Sequence, residues 1–236
     1  MTVDRNHPWD LSPADAIHLQ QEIKELIVHH WDNREVRTIA GADVSYIRRW
    51  QQAFAVIALF EVEYGSSGII LHHLKSVTDS REITYPYIPG LLVFREGPAL
   101  ESVWQRLEKK PDLLMFDGAG IAHPRRCGLA AHLGWRWNIP AIGCAKSRLT
   151  GEAEEVGIEK GAHVPLFHKK TQIGNVVRTR TRVKPLYVSP GHLMDFETAV
   201  DWTLQTTTKY KLPKPTRIAD NRTKKLVREY QSTHET

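Results

Sequence analysis

Leu113-Leu114-Met115-Phe116-Asp117 is an apolar run without alternation that ends in a carboxylate. A strand with one face in water alternates apolar and polar residues. One that does not alternate is buried on both faces, as in a parallel sheet covered by helices on each side. Upstream of it, Pro98 to Lys110 carries Leu100, Val103, Trp104 and Leu107 at helical spacing. Downstream, a helix is expected near Cys127 to Trp137 and a short strand at Ala141 to Cys144. Ile173 to Arg178 and Leu186 to Ser189 are further strand candidates, with a helix near Asp195 to Thr206.

The N-terminal part reads differently. Ser12-Pro13-Ala14-Asp15 supplies an N-cap, a proline at the first helical position and an acid in the first turn, and Leu19, Ile23, Leu26, Ile27 and His30 follow at helical spacing. This predicts one amphipathic helix of about five turns. Three β-rich runs come next, Thr38 to Tyr46, Gln52 to Val62 and Gly68 to Val77, separated by Arg48-Arg49 and by Tyr64-Gly65-Ser66-Ser67. Such short connections imply antiparallel hairpins. Three antiparallel strands followed by βα alternation predict an α/β fold on one mixed sheet flanked by helices, as a single domain over residues 1–236.

Composition agrees with a globular chain: 236 residues, 41% hydrophobic and 25% charged, without repeats or low-complexity segments. The longest apolar run, Ala53 to Phe60, is far short of the roughly 20 residues of a membrane helix, which argues against a membrane partner. The polar N-terminus lacks a signal-peptide pattern, so a cytoplasmic location is expected. Cys127 and Cys144 are too few and too far apart for a disulfide framework or zinc knuckle and are expected to be reduced. The charge is unevenly placed: residues 168–236 hold 14 basic and 6 acidic side chains, against 18 and 21 in residues 1–167. A basic C-terminal third fits nucleic acid as partner, or a merely solvated basic face.

Asp43 follows Thr38-Ile39-Ala40-Gly41-Ala42, and Asp117 follows the opening run. Ligands of open α/β sheets bind at the carboxyl ends of strands, and neighbouring first and fourth strands would bring these carboxylates together. Mg²⁺ relieves the repulsion of such a pair and supports phosphodiester displacement. Alternatively, each aspartate only caps a turn. In Tyr85-Pro86-Tyr87-Ile88-Pro89-Gly90 the prolines stiffen a projecting loop, so that Tyr87 either wedges between bases or packs within the loop.

Four blocks occur in order: Pro86 to Glu96, Asp117 to Arg125 (Asp-Gly-Ala-Gly-Ile-Ala-His-Pro-Arg), Ile142 to Leu149 and Val188 to His192. Together they resemble the endonuclease V family of repair nucleases, which act beside deaminated adenine, and the resemblance extends from about Asp10 to Arg228. It implies a ribonuclease H-like fold in which the three antiparallel strands and the later parallel ones share one sheet.

Position by position, the resemblance implies Asp43 and Asp117 as Mg²⁺ ligands, with Mn²⁺ expected to substitute, and Glu96 as a third essential carboxylate. Lys146 would be a point charge for phosphate. His123 would position substrate or solvent, and Tyr87 would be the wedge. Gly90, Leu92, Gly118, Gly120 and Leu149 would line a pocket for the extruded base. Asp220 stands where some members carry His and is a candidate active-site group. Ser189-Pro190-Gly191-His192 reads as a structural turn with His192 bonded inside it.

The function implied is hydrolysis of the second phosphodiester bond 3′ to deoxyinosine in DNA, leaving 3′-hydroxyl and 5′-phosphate ends, by a monomer. An inosine-specific endoribonuclease of the same fold, acting on inosine-containing RNA, is the alternative. A non-catalytic nucleic-acid-binding module fits less well, because Asp43, Glu96, Asp117 and Lys146 all stand in matching blocks.

Overall fold

The computed structural model describes residues 3–66 and 68–234, so Ser67 of the predicted turn lies outside the described residues. Helix α1 (Pro13–Lys24) precedes three long strands, β1 (Thr38–Ile47), β2 (Gln52–Gly65) and β3 (Gly68–Glu82). Then come α2 (Leu92–Gln105), β4 (Leu113–Phe116), α3 (Leu129–Trp137) and β5 (Ala141–Ala145). The chain ends with β6 (His163–His168), β7 (Thr171–Val177), β8 (Leu186–Pro190), α4 (Phe196–Gln205) and α5 (Lys214–His234).

All eight strands form one mixed sheet, in the order β3-β2-β1-β4-β5-β8-β7-β6. β1, β2 and β3 are antiparallel, and β4 and β5 continue parallel to β1, as expected. Parallel pairing stops there, because β8, β7 and β6 continue antiparallel. Every residue of β4 is buried. Leu114 and Phe116 enter a core shared with residues of α1, α2 and α3, whereas Leu113 and Met115 enter one shared with residues of α4 and α5. The lack of alternation thus has the cause read from the sequence, a helical layer on each face.

Four elements differ from expectation. Helix α1 ends at Lys24 because the chain must pass from one side of the sheet to the other: Ile27 packs in the first core and Trp31 in the second. Helix α2 starts at Leu92, with Pro98 inside it. Proline costs the helix one hydrogen bond, but burial of Val93, Phe94, Leu100 and Val103 holds α2 across it. Strand β6 and helix α5 were not foreseen. Cys127 and Cys144 are free and buried, and among the described residues no helix is long and apolar enough to cross a membrane.

Candidate active site

Alternation along β1 puts Gly41, Asp43 and Ser45 on the face covered by α5. At Gly41 the missing side chain lets helix and strand touch: a Cβ there would lie 2.1 Å from the carbonyl carbon of Pro215. From that contact α5 runs along β1, and Asp220 and Thr223, one turn apart, reach Asp43. Thr223 donates a hydrogen bond to Asp43 Oδ2 at 2.7 Å, and its hydroxyl lies 2.8 Å from that of Ser45. Asp43 is inside β1, paired with Val56, rather than at a strand end. The strand that ends is β4, whose Phe116 pairs with Ala42, so Asp117 emerges beside Asp43.

One oxygen from each of Asp43, Asp117 and Asp220 lies within 4.8 Å of the others. These carboxylates, with Glu96 and Lys146, line a cleft of about 390 Å³. Lys146, immediately after β5, pairs with Asp117 and donates to Asp220 Oδ1 at 2.8 Å, while Lys224 donates to Asp220 Oδ2 at 2.6 Å. Burial pushes the Asp43 carboxyl up to about 7, against the Thr223 hydrogen bond and with help from the Asp117 charge. Burial also raises that of Asp117, despite Lys146. At Asp220 burial is outweighed by the two lysines, and its carboxyl is held below the ordinary range. Lys146 is partly buried, yet its carboxylate partners keep it firmly charged. An all-oxygen, hard, anionic donor set fits Mg²⁺ or Mn²⁺.

Glu96 reaches the cleft from α2 and is buried, and its carboxyl is pushed up to about 8, mainly by burial. Tyr46, on the opposite face of β1 from Asp43, donates its hydroxyl to Glu96 Oε1.

Next to the cleft lies an apolar pocket of about 110 Å³ lined by Tyr87, Gly90, Leu92, His123 and Leu149 among others. Tyr87 stands at its rim, 68% exposed, and is not packed into its own loop. Gly90 has a φ of 81°, and a Cβ there would also meet Arg125 Nη2 at 2.6 Å. The Gly90 carbonyl accepts from Gln20, His123 and Arg125, which together pin the loop. His123 Nδ1 accepts from the Arg125 amide, and burial takes the ring down to about 4, so it is neutral with Nε2–H turned to Gly90.

Gly118 lines the carboxylate cleft and not the apolar pocket. Gly120 lines neither: its Cβ would lie 2.0 Å from the Pro190 carbonyl oxygen, so the glycine serves packing against β8. Ser189 belongs to that contact, accepting from the Gly120 amide at 2.8 Å. His192 accepts not within its turn but from the Val28 amide. Thr223, Ser45, Tyr46 and Gln20 were missed. The Asp43–Ser45 and Asp220–Thr223 spacings were the available signals, but they become informative only once α5 is known to lie on β1.

Carboxylates gathered by a mixed sheet, with a lysine among them and a small apolar pocket alongside, suit an enzyme that cuts phosphodiester bonds, and comparison with known proteins places the chain among the nucleases. The Endonuclease V family model matches residues 20–221, and the chain belongs to the endonuclease V family. Endonuclease V of Myxococcus xanthus is 42% identical over 215 residues, covering 89% of this chain and 88% of that protein. The crystal structure of the Streptomyces avermitilis endonuclease V superposes with a TM-score of 0.86 at 32% identity, covering 98% of this chain and all of that one. Endonuclease V of Ciona intestinalis, in complex with a 24mer DNA containing an inosine followed by a ribo-adenosine, superposes with a TM-score of 0.79 at 27% identity, covering 92% and 98%.

Proposed function

We propose that this protein is a DNA repair endonuclease that recognises deoxyinosine and hydrolyses the second phosphodiester bond 3′ to it, leaving 3′-hydroxyl and 5′-phosphate ends, with Mg²⁺ as cofactor and Mn²⁺ able to replace it. The observation that carries this reading is the convergence of Asp43, Asp117 and Asp220 within 4.8 Å beside a pocket edged by Tyr87. Family membership supports it, as does the inosine-containing DNA bound by the Ciona relative.

Asp43, Asp117 and Asp220 would hold the divalent cation. When bound, it supplies Lewis-acid polarisation of the phosphate and a lowered pKa for the attacking water. Lys146 gives a fixed positive charge beside the scissile phosphate. Glu96, held by Tyr46, accepts or returns a proton at its carboxylate. Tyr87 fills the gap left by the extruded base, which the pocket of Gly90, Leu92, His123 and Leu149 receives. A deaminated, mispaired base is cheaper to unstack than a normal one, which gives extrusion its selectivity.

One observation favours a second reading, inosine-containing RNA: in the Ciona complex the inosine is followed by a ribonucleotide. Incubating the protein with end-labelled strands of one sequence, carrying deoxyinosine in DNA, inosine in RNA or adenosine in either, with and without Mg²⁺, separates the readings. The proposal expects Mg²⁺-dependent cutting of the deoxyinosine strand at the second 3′ bond. Cutting of the RNA strand alone would establish the second reading, and equal cutting of adenosine strands would overturn both.

A further inference from the structure

On another side of the apolar pocket a groove of about 640 Å³ lies among residues of α1, the segment after His123 and the β6–β7 turn, faced by Lys24, Arg125, Arg126, His168 and Lys169. The pocket wall continues into it. Gln20 and His123 line the pocket, while their neighbours Gln21, Pro124, Arg125 and Arg126 line the groove. The carboxylate cleft adjoins the pocket elsewhere, with Ser147 in the cleft and Leu149 in the pocket. Cleft and groove share no lining residue and meet the pocket through different segments, the cleft at residues 118–119 and 147–149, the groove at residues 20–21 and 123–125.

The groove's charge is not neutralised from within. Its acid, Glu25, pairs with Lys24 at 3.0 Å. Arg125 spends its guanidinium on Gln20 and the Gly90 carbonyl, and Arg126 donates from Nη2 to the His168 carbonyl at 3.1 Å. Among the described residues neither guanidinium has a carboxylate partner, and Nη1 of Arg126 is buried without any hydrogen-bond partner. Arg126, Lys169 and Lys170 all adopt left-handed backbone conformations, with φ of 59°, 52° and 65°. Half-buried guanidinium charge without a counter-ion, carried on strained backbone, is costly unless an anion completes it.

We propose that this groove is a phosphate-binding subsite for the nucleic-acid strand on the 5′ side of the extruded base, with Arg126 and Lys169 as its charged contacts. The inference rests on the function proposed above: with the scissile phosphate 3′ to the base and at the carboxylate cleft, the strand leaves the pocket toward the groove.

Two single DNA strands test this in chelator, where nothing is cut. Both carry the same 3′ segment; in one deoxyinosine is the 5′-terminal nucleotide, and in the other several nucleotides precede it. Arg126→Gln and Lys169→Gln should each weaken binding of the extended strand and lower its slope of log affinity against log salt by about 0.7, one single-stranded phosphate contact. Binding of the truncated strand should not change. Equal weakening of both strands, or an unchanged slope with the extended strand, would overturn the subsite. Lys169 is exposed, so its variant reads out even if Arg126→Gln folds poorly. If wild-type protein failed to prefer deoxyinosine over deoxyadenosine strands, the functional reading would fall, while the effect of 5′ extension would still be measured on its own.

Discussion

Gly41 of β1 and Pro215 of α5 meet backbone to backbone, close enough that a Cβ on Gly41 would sit 2.1 Å from the Pro215 carbonyl carbon. This contact sets the distance between strand and helix, and through it the approach of Asp220 and Thr223 to Asp43. Gly41→Ala should therefore cost about 1–3 kcal/mol in overpacking and depress cleavage further than the stability loss explains. Gly65→Ala, whose Cβ would meet only the Gly68 carbonyl oxygen at 3.3 Å, is the control. Melting curves and cleavage rates on both variants check this, and equal, mild effects would mean that the contact does not position the site.

Asp43→Asn should abolish cleavage and yet stabilise the metal-free protein at alkaline pH. The folded carboxyl is raised from its ordinary 3.8 to about 7, so between these values the folded state binds the extra proton. Its contribution is full below the unfolded value and is lost as pH rises through about 7. Wild type and variant should melt alike near pH 4, and the variant should melt higher at pH 8. A divalent cation should raise the melting temperature of wild type only, since binding to the folded state alone stabilises it. A variant less stable at both pH values would contradict the assignment of a strained, buried carboxylate.

How much of this could be read from the sequence depended on which chemistry each element uses to pack. Strand β4 was plain because burial on both faces leaves an unbroken apolar run, and Asp117 was plain as its end. Helix α5 was hidden for the opposite reason. Its buried positions include Thr216, Ala219, Asp220 and Thr223, small or polar residues that lie against Gly41, Asp43 and Ser45, so few large apolar residues mark its buried face. Asp220 was found only through the family resemblance, and its partner Thr223 not at all. In α2 the proline at 98 imitated a helix start, which concealed that Glu96 sits on a helical face. Gly120 was placed in the pocket by the family resemblance alone, whereas its actual constraint is the close approach of Pro190, a contact between distant parts of the chain.

Tyr46→Phe removes the hydroxyl that Glu96 accepts. Kcat should fall roughly tenfold, the equivalent of about 1.4 kcal/mol and within the range of a single hydrogen bond, with KM nearly constant. Steady-state kinetics on a deoxyinosine strand decide it. A rise in KM alone would show that Tyr46 shapes binding and does not position Glu96.

Tyr87→Ala should lose a stacking contribution of about 1–3 kcal/mol on deoxyinosine-containing duplex and little on undamaged duplex, with slow cleavage persisting at high enzyme concentration. Competition binding reads this directly. Unchanged discrimination would remove the aromatic rim from the recognition step.

Asp43 of β1, Asp117 just after β4 and Asp220 of α5 would together hold a catalytic divalent cation, and Mn²⁺ uptake reads that binding without any substrate. Titrating Mn²⁺ into the protein and following the paramagnetic resonance signal of the free ion should show strong uptake by wild type and by Tyr87→Ala. Asp43→Asn and Asp117→Asn should show sharply weakened uptake, in parallel with lost cleavage. Wild-type uptake in both aspartate variants would contradict the account.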